Sequence, residues 1–518
     1  MRTIRPASSL ASVSLRPRPR TTFICHACIR SLGKRYASTS APTGSAIEAP
    51  EIYDVVCVGG GPAGLSLLSA LRSSKVTSGL KVALVEGQDL SRTRTWQLPR
   101  DQFSNRVSSL TPASVGFLKD IGAWKHIDTA RVQAYDEMQV WDGITGSNIS
   151  FDWPTGSTSK TIAYMCENLN LTRGLLAHLD ELGGFTLLDN SRVEKIETGE
   201  EYSFSSADNS LNLTGWPIVQ LSSGKQLAAR LLVGADGANS PVRTFAGIES
   251  RGWDYERHGV VATISLEGLE LDLSDFSNTV PGGAGKATRT AYQRFLPTGP
   301  VALLPMPGPF ATLVWSTLPS HAALLKSLSP TDFVAMVNAA FRLSHVDLAY
   351  LHTLSSGQLE EVSWREKHTA FDVAKIPARA TGVQDGTVQS FPLRMRNADT
   401  YTGERVALVG DAAHTTHPLA GQGLNQGQLD IQSLARTITY AVEHGQDIGA
   451  QLSLESYNAE RYAANNLMLG VVDKIHKLYA TSFAPVVALR SLGLGAVNQL
   501  GPLKRFFMEQ AAGTGKRL

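Results

Sequence analysis

The sequence predicts an α/β protein: a discontinuous Rossmann-like nucleotide-binding domain, an inserted sheet-rich domain, and a helical C-terminus. Three observations predict it. The apolar, β-branched run Tyr53 to Val58 leads straight into Gly59-Gly60-Gly61-Pro62-Ala63-Gly64 and then into a segment with helical apolar spacing. From His258 to Leu318 the pattern changes to alternating apolar residues broken by Pro and Gly. A short buried strand, Arg405 to Val409, followed by a long helix, then restores the α/β pattern. The division that follows is 48–250 together with 381–450 for the nucleotide-binding domain, 251–380 for the inserted domain, and 451–518 for the C-terminal helices. Strands of the inserted domain are expected to interleave near 130–165.

Taken in order, Ala63 to Ser73 carries Leu65, Leu67, Leu68 and Leu71 at helical spacing. Lys81 to Val85 is a second buried strand ending at Glu86, which completes a βαβ unit. Leu110 to Trp124 reads as a helix, Val132 to Val140 and Ile149 to Trp153 as strands, and Leu169 to Leu182 as a helix. Asp189 to Glu197, Ile218 to Leu221 and Gln226 to Val233 read as strands. In the inserted domain, Val260 to Ile264, Ala291 to Leu296, Val301 to Leu304 and Ala311 to Trp315 predict a mostly antiparallel sheet, and Pro330 to Phe341 a helix. Leu424 to Val442 is a long helix, and the chain after Leu452 is helical almost to its end. Ser203 to Leu213 and Val280 to Thr290 read as loops.

With 518 residues, 42% apolar and 18% charged, the chain has the composition of a globular protein with a large core. The formal charge of +2 averages two unlike regions: eight of the 48 basic residues and none of the 46 acidic ones precede Glu48. The remainder is mildly acidic, which argues against a nucleic-acid groove. Residues 1–47 are Arg- and Ser-rich and acid-free, without the continuous apolar stretch of a secretory signal; they are expected to be a mitochondrial transit peptide. Cys25-His26-Ala27-Cys28 lies inside that segment and has no second ligand pair. Cys57 sits in an apolar strand and is expected to be a core residue. No stretch approaches the roughly 18 uninterrupted apolar residues of a spanning helix. Leu467 to Leu500 is apolar on one face, interrupted by Asp473, Lys474, His476, Lys477 and Arg490. That face suits a membrane surface, a partner or the protein's own core.

Three segments carry chemistry. In Gly59-x-Gly61-x-x-Gly64 the first glycine permits a tight turn, the second lets backbone approach a pyrophosphate, and the third lets helix and strand pack closely. Free N–H groups at the helix start attract phosphate charge. Glu86, 22 residues after Gly64, can accept a ribose hydroxyl hydrogen bond. This segment alone does not separate FAD from NAD. The second segment is Asp236-Gly237-Ala238-Asn239-Ser240 running to Arg243, after the strand Leu231 to Val233. The third is Gly410-Asp411-Ala412-Ala413-His414 running to Asn425. Asp411 is positioned to bond a ribityl hydroxyl, and the turn Pro418 to Gly423 opens a helix at Leu424-Asn425 whose start can stabilise negative charge on a reduced flavin. In this order the segments suit an FAD held at three points, so they must converge. A competing reading takes Asp411, His414 and His417 as metal ligands; the Gly, Pro and Ala context argues against it.

These residues, with Arg106-Val107-Ser108-Ser109-Leu110-Thr111-Pro112, Met138 to Asp142, Glu167-Asn168, Trp253-Asp254-Tyr255, Gln293 to Pro300 and His417 to Asn425, resemble the class A flavin-dependent aromatic hydroxylases. The chain is most similar to the ubiquinone-biosynthesis branch, of the mitochondrial type that hydroxylates ring position C5 of a polyprenyl-phenol precursor. The resemblance covers roughly residues 50 to 480. It implies FAD as cofactor and a flavin C4a-hydroperoxide as oxidant, so no catalytic side chain is assigned. It also implies that Arg106 contacts the flavin, that Asp236 and Gly237 link flavin and pyridine-nucleotide binding, that Asp411 holds the ribityl chain, and that Pro418, Leu424 and Asn425 line the isoalloxazine, with Gly423 in the same turn. Tyr292 and Arg294, on a strand expected to roof the pocket, are candidate substrate contacts. Implied partners are a polyprenylated phenolic substrate, O2, electrons from ferredoxin and its reductase or from NAD(P)H, a multi-subunit biosynthetic complex, and a membrane surface on the matrix side of the mitochondrial inner membrane. Two alternatives remain: an NADPH-dependent hydroxylase of a soluble aromatic compound, and a flavin-stabilised structural subunit.

Overall fold

Parallel strands buried on both faces form the centre of the molecule. A computed structural model describes residues 49–153, 161–199, 212–268, 289–372, 375–417, 421–500 and 504. The expected transit peptide, Cys25, Cys28 and Pro418 lie outside these residues, as do most of the two expected loops. All the described residues belong to the unit Ala49–Leu518.

Strand β1 (Glu51–Val58) leads into helix α1 (Pro62–Ser73), and β2 (Val82–Val85) follows. Next come α2 (Ser91–Arg94), β3 (Val107–Leu110), α3 (Pro112–Asp120), β4 (Gln133–Tyr135), β5 (Glu137–Asp142), β6 (Asn148–Asp152) and β7 (Ala163–Glu167). Helix α4 (Asn168–Leu182) precedes β8 (Phe185–Leu188), β9 (Val193–Thr198), β10 (Pro217–Leu221), β11 (Gln226–Gly234) and α5 (Pro241–Phe245). The long strand β12 (Ser250–Leu266), β13 (Thr290–Leu296), β14 (Gly299–Pro305) and β15 (Phe310–Thr317) are followed by α6 (Pro319–Ser327), α7 (Pro330–Arg342), α8 (His345–Leu351) and α9 (Gln358–His368). The chain then runs through β16 (Ala380–Val383), β17 (Gln389–Ala398), β18 (Thr402–Gly403), β19 (Val406–Leu408) and β20 (His414–Thr415) into α10 (Gln422–Glu443), α11 (Gln451–Ala480) and α12 (Ala484–Gln499).

The first sheet has the order β18-β19-β11-β1-β2-β8, with β10 and β9 attached antiparallel beyond β11. Strands β19, β11, β1, β2 and β8 run parallel. Their residues are correspondingly apolar throughout: Val55, Val56, Cys57, Leu231, Leu232, Val233, Ala407 and Leu408 are fully buried. Cys57 is thus a core residue, and burial pushes its thiol above the ordinary range.

The second sheet has the order β20-β17-β12-β15-β14-β13-β5-β6, with β16 beside β12. It is antiparallel apart from the β13–β5 pair, which joins residues about 150 apart in sequence, Tyr292 opposite Gln139 and Arg294 opposite Trp141. One of its faces carries α7, whose Phe333, Met336 and Val337 pack with Val260, Leu313 and Trp315. A small sheet, β3-β7-β4, is the third.

Three local expectations shift. The helix predicted from Leu110 to Trp124 starts at Pro112, because Thr111 caps it by accepting the Ser114 N–H and Pro112 occupies the first helical position; Leu110 ends a strand. The strand predicted from Asp189 to Glu197 starts only at Val193, after a turn with Asn190 at φ +49° that follows β8. Residues 389–398, grouped by sequence with the nucleotide-binding part, pair with β12 in the second sheet.

Candidate functional site

The three chemistry-bearing segments leave the same edge of the first sheet. Val58 pairs with Gly234 and with Val85, and Gly234 pairs with Leu408, so β1, β2, β11 and β19 end level with one another. In a parallel sheet that carboxyl edge is where nucleotides bind. Gly59, at φ +112°, has no room for a side chain: a Cβ would lie 2.2 Å from the Ala235 carbonyl oxygen, so the first and second segments touch through bare backbone. Gly64 is equally constrained, since its Cβ would lie 2.0 Å from the Gly59 oxygen, while Gly61 faces open space. Gly61 precedes α1 with no side-chain cap and no acid in the first turn, which leaves the helix dipole and its N–H groups available to an anion. The Gly60 N–H donates to Glu86 Oε2 at 2.6 Å, and the Gln88 N–H to Glu86 Oε1 at 2.8 Å. These bonds aim a carboxylate at the end of β2 and leave lone pairs for a sugar hydroxyl.

Asp236 accepts the Val242 N–H at 3.2 Å through Oδ2, whereas its Oδ1 is buried without a partner. Burial raises its carboxyl pKa, and the bond from Ser240 works against that. A buried acceptor left unmatched costs about 1–3 kcal/mol, and a ligand hydroxyl or N–H would recover it. Gly237 stands at φ +84° with nothing near its Cβ direction. Arg243 ties the second segment to the third, donating to the Ala412 carbonyl at 2.8 Å and to the Ala238 carbonyl at 2.7 Å.

In the third segment, Gly410 packs on α1: its Cβ direction meets the Ala63 Cβ at 3.5 Å, and Gly427 of α10 approaches its Cα. Asp411 is exposed at the sheet edge. The surrounding protein raises its carboxyl pKa and His414 lowers it in part. The residue that fixes this loop is Asp430, which the sequence reading passed over. Its carboxylate accepts the Gly410 N–H at 3.1 Å, His414 Nε2–H at 2.6 Å, Arg461 Nε–H at 2.8 Å and the Asn465 amide at 3.0 Å. Burial opposes its ionisation, yet His414 and Arg461 outweigh burial and hold its pKa below the usual carboxylate range. His414 Nε2 is engaged by Asp430, and among the described residues the donor atoms of Asp411, His414 and His417 do not gather closely enough to hold one ion. The available signal was an acid in the apolar helix stretch Leu429-Asp430-Ile431.

Gly423 and Leu424 lie half-buried in the first turn of α10, after Gly421 at φ +59°. Asn425 is nearly fully buried, and its side chain is spent on the protein. Its oxygen accepts from the Thr111 N–H at 2.9 Å and Ser114 Oγ at 2.7 Å, and its amide donates to the Ser109 and Gly421 carbonyls. It clamps the start of α10 to the start of α3, so what it offers a flavin is backbone rather than amide. Arg106 is exposed, and its guanidinium makes no hydrogen bond or ion pair among the described residues. Glu167 is buried in a bidentate pair with Arg131, at 2.7 and 3.0 Å, and Arg131 also caps the carbonyls of Leu98, Pro99 and Gln102. That pair is scaffolding for the segment that presents Arg106.

Tyr292 and Arg294 go elsewhere. Alternation along β13 turns both towards the helical layer. Arg294 donates to the Ala340 and Leu343 carbonyls at 2.9 and 2.8 Å, capping the end of α7, and Tyr292 packs in the same core. Burial lowers the Arg294 pKa to about 10, eased by Asp142. Arg294 is thus spent on the end of α7, and Tyr292 shares its face of β13, since a strand places residues two apart on one face.

Parallel strands ending level, two backbone approaches too close for a side chain, an open helix start and an unmatched buried carboxylate oxygen together mark a dinucleotide-binding α/β protein. Comparison narrows the class. Residues 52–470 match the FAD binding domain family. The chain is 40% identical over 488 residues to a Saccharomyces cerevisiae protein named ubiquinone biosynthesis monooxygenase COQ6, mitochondrial, covering 90% of this chain and 95% of that one. The human protein of the same name is 36% identical over 463 residues, covering 89% and 92%. Among solved structures, p-nitrophenol 4-monooxygenase from Pseudomonas putida shares the fold, with a TM-score of 0.61 at 18% identity over 91% of this chain and all of that one. The OxyS anhydrotetracycline hydroxylase from Streptomyces rimosus gives 0.57 at 19%, over 90% of this chain and 77% of that one. The chain belongs to the mitochondrial ubiquinone-biosynthesis monooxygenase family and is an FAD-dependent monooxygenase.

Proposed function

We propose that this monooxygenase acts in ubiquinone biosynthesis in the mitochondrion, hydroxylating ring carbon C5 of a polyprenyl-phenol or polyprenyl-benzoate precursor. The observation that carries the reading is the convergence of three glycine-containing segments on one sheet edge, in a chain whose relatives are named ubiquinone biosynthesis monooxygenases. Bound FAD, once reduced, would activate O2 so that one oxygen atom enters the ring and the other leaves as water.

The chain's own residues then have separable tasks. Gly61 and the N–H groups of α1 would receive the pyrophosphate and Glu86 a ribose hydroxyl. Asp236 Oδ1 supplies the acceptor it leaves unmatched, and Asp411 a carboxylate for the ribityl hydroxyls. Gly237, Pro418, Gly423, Leu424 and the backbone at Asn425 would border the ring system, with the α10 N-terminus favouring negative charge on it. Arg106 would add a second positive charge. In this division the first sheet binds flavin, the second sheet shapes the substrate side, and residues 1–47 direct import. The enzyme works peripherally on the matrix side of the inner membrane, within a biosynthetic assembly, on electrons from a ferredoxin system or NAD(P)H.

The test is genetic and chemical. In cells lacking their own monooxygenase of this family, the wild-type chain should restore hydroxylated product, whereas Gly64→Val should assemble yet leave the unhydroxylated prenylated intermediate to accumulate. Normal product from the Gly64→Val chain would sink the enzyme reading. Anaerobic bleaching of the purified flavoprotein with NADPH or with reduced ferredoxin identifies the donor.

A further inference from the structure

Helix α12 is apolar over most of its length, with polar residues only at Arg490, Ser491, Asn498 and Gln499. On its inner side Leu494 and Val497 pack towards Val140, Ile149 and Phe295 of the second sheet, and Val487 is buried. The single charge in the helix, Arg490, points the same way. It grips Asp142 through Nε at 2.6 Å and Nη2 at 3.1 Å, and it caps the Leu478 and Thr481 carbonyls at the end of α11. The outer stripe is left with Ala484, Pro485, Ala488, Leu489, Leu492, Gly493 and Ala496, all exposed; Leu489 is 70% and Leu492 74% accessible. A helix on a water-facing surface normally turns charge outward, and this one turns its only charge inward. At the α11–α12 elbow Phe483 is 65% exposed, and α11 adds the exposed stripe Leu467, Val471, Lys474 and Leu478.

We infer that the outer face of α12 and the elbow at Phe483 seat on the surface of an anionic lipid bilayer, with α12 lying in the plane of the interface. The inference deepens, and rests on, the prenylated-substrate reading, since such a substrate resides in a bilayer.

Two features favour lipid over a protein partner. From Ala484 to Ala496 the outer face offers no side-chain hydrogen-bonding group, whereas a protein interface carries about one hydrogen bond per 100–200 Å². The charges at its border fit lipid headgroups. Between Leu467 and Leu500 the only acid, Asp473, is buried and pairs with the exposed Lys477 at 2.8 Å, which leaves the exposed Lys474 as a net positive charge. Aliphatic residues flanked by lysines match the acyl–headgroup boundary of an anionic leaflet. No described helix is long and apolar enough to cross a membrane, so the contact is superficial. The elbow also borders a recess of about 410 Å³ lined by Trp253, Tyr255, His476 and Ala480. Its wall reaches inward: Tyr255 meets His476 and His417 edge-on, and the two imidazoles lie tilted against each other, a few residues before α10.

The experiment is flotation of the FAD-loaded protein with vesicles of phosphatidylcholine alone or mixed with phosphatidylglycerol. Wild type should float with the mixed vesicles. The Leu489→Glu/Leu492→Glu variant should float at least about tenfold less, with flavin content and circular dichroism unchanged because both side chains already face water. Lys474→Glu should weaken only the phosphatidylglycerol-dependent part. Wild type that floats with neither vesicle, or a double variant that floats as well as wild type, overturns the inference. So does a wild-type dimer that the double variant converts to monomer, since a second copy then covers the face. Hydroxylation of detergent-solubilised prenylphenol by the double variant keeps the two readings apart: its loss in wild type as well would sink the substrate reading and leave the flotation result standing.

Discussion

The two sheets of this protein are held in contrasting ways. At the carboxyl edge of the first, the decisive contacts are made where side chains are missing: Gly59 against Ala235 and Gly64 against Gly59. In the second sheet and the helices on it, buried arginines hold the parts together: Arg294 on the end of α7, and Arg490 on Asp142. Between them lies Asp430, a buried charge that serves a glycine loop. The lesson is that the first sheet brings backbone against backbone by removing side chains, while distant elements are fixed by burying paired charge.

Breaking the charges should have the largest effect and should separate the two regions. Asp430→Asn and Asp142→Asn each leave a buried arginine without its counter-charge and should cost about 3–5 kcal/mol in denaturant unfolding. Only Asp430→Asn frees the Gly410 loop, so only it should also lose flavin; equal flavin loss in both would erase the distinction. Gly64→Val comes next, at about 1–3 kcal/mol for overpacking, with a colourless protein as its signature. A yellow Gly64→Val protein would mean that the close approach in the first sheet is dispensable.

A smaller effect is pH-dependent. Burial, helped by the charge of His476, lowers the pKa of His417 to about 3. The unfolded chain takes up that proton near pH 6.5, so the contribution of His417 is complete above about pH 6.5 and is lost as pH falls towards 3. The slope is at most about 1.4 kcal/mol per pH unit. His417→Asn should flatten the stability curve between pH 6.5 and 5; an unchanged slope would mean that His417 is protonated when folded. The smallest change is Arg106→Ala. This exposed residue should alter stability by less than about 0.5 kcal/mol while weakening flavin binding about tenfold, read by fluorescence titration.

Much of the site was legible because its logic is local. A glycine triplet after a buried strand, an acid at the end of the next strand, and Gly-Asp after two later strands each announce themselves within a few residues. Cross-sheet partners leave no such trace. Nothing near Arg294 in sequence says that its face of β13 is covered by α7, so the sequence alone leaves it free to face a substrate. Asn425 sits in a motif that suggests flavin, yet its amide closes on Ser109 and Thr111, more than 300 residues away. Helices α6, α8 and α9 went unseen because short, mixed-polarity segments carry little periodic signal.

By itself, then, the sequence determined the α/β class, the nucleotide and the family, since glycine geometry and apolar periodicity act over a single turn or strand. The tertiary structure decided which strands end level, which acid anchors the third loop, and which way the one charge of α12 points. Those depend on where remote segments pack, because a buried charge must find its partner across the fold, whatever the distance along the chain.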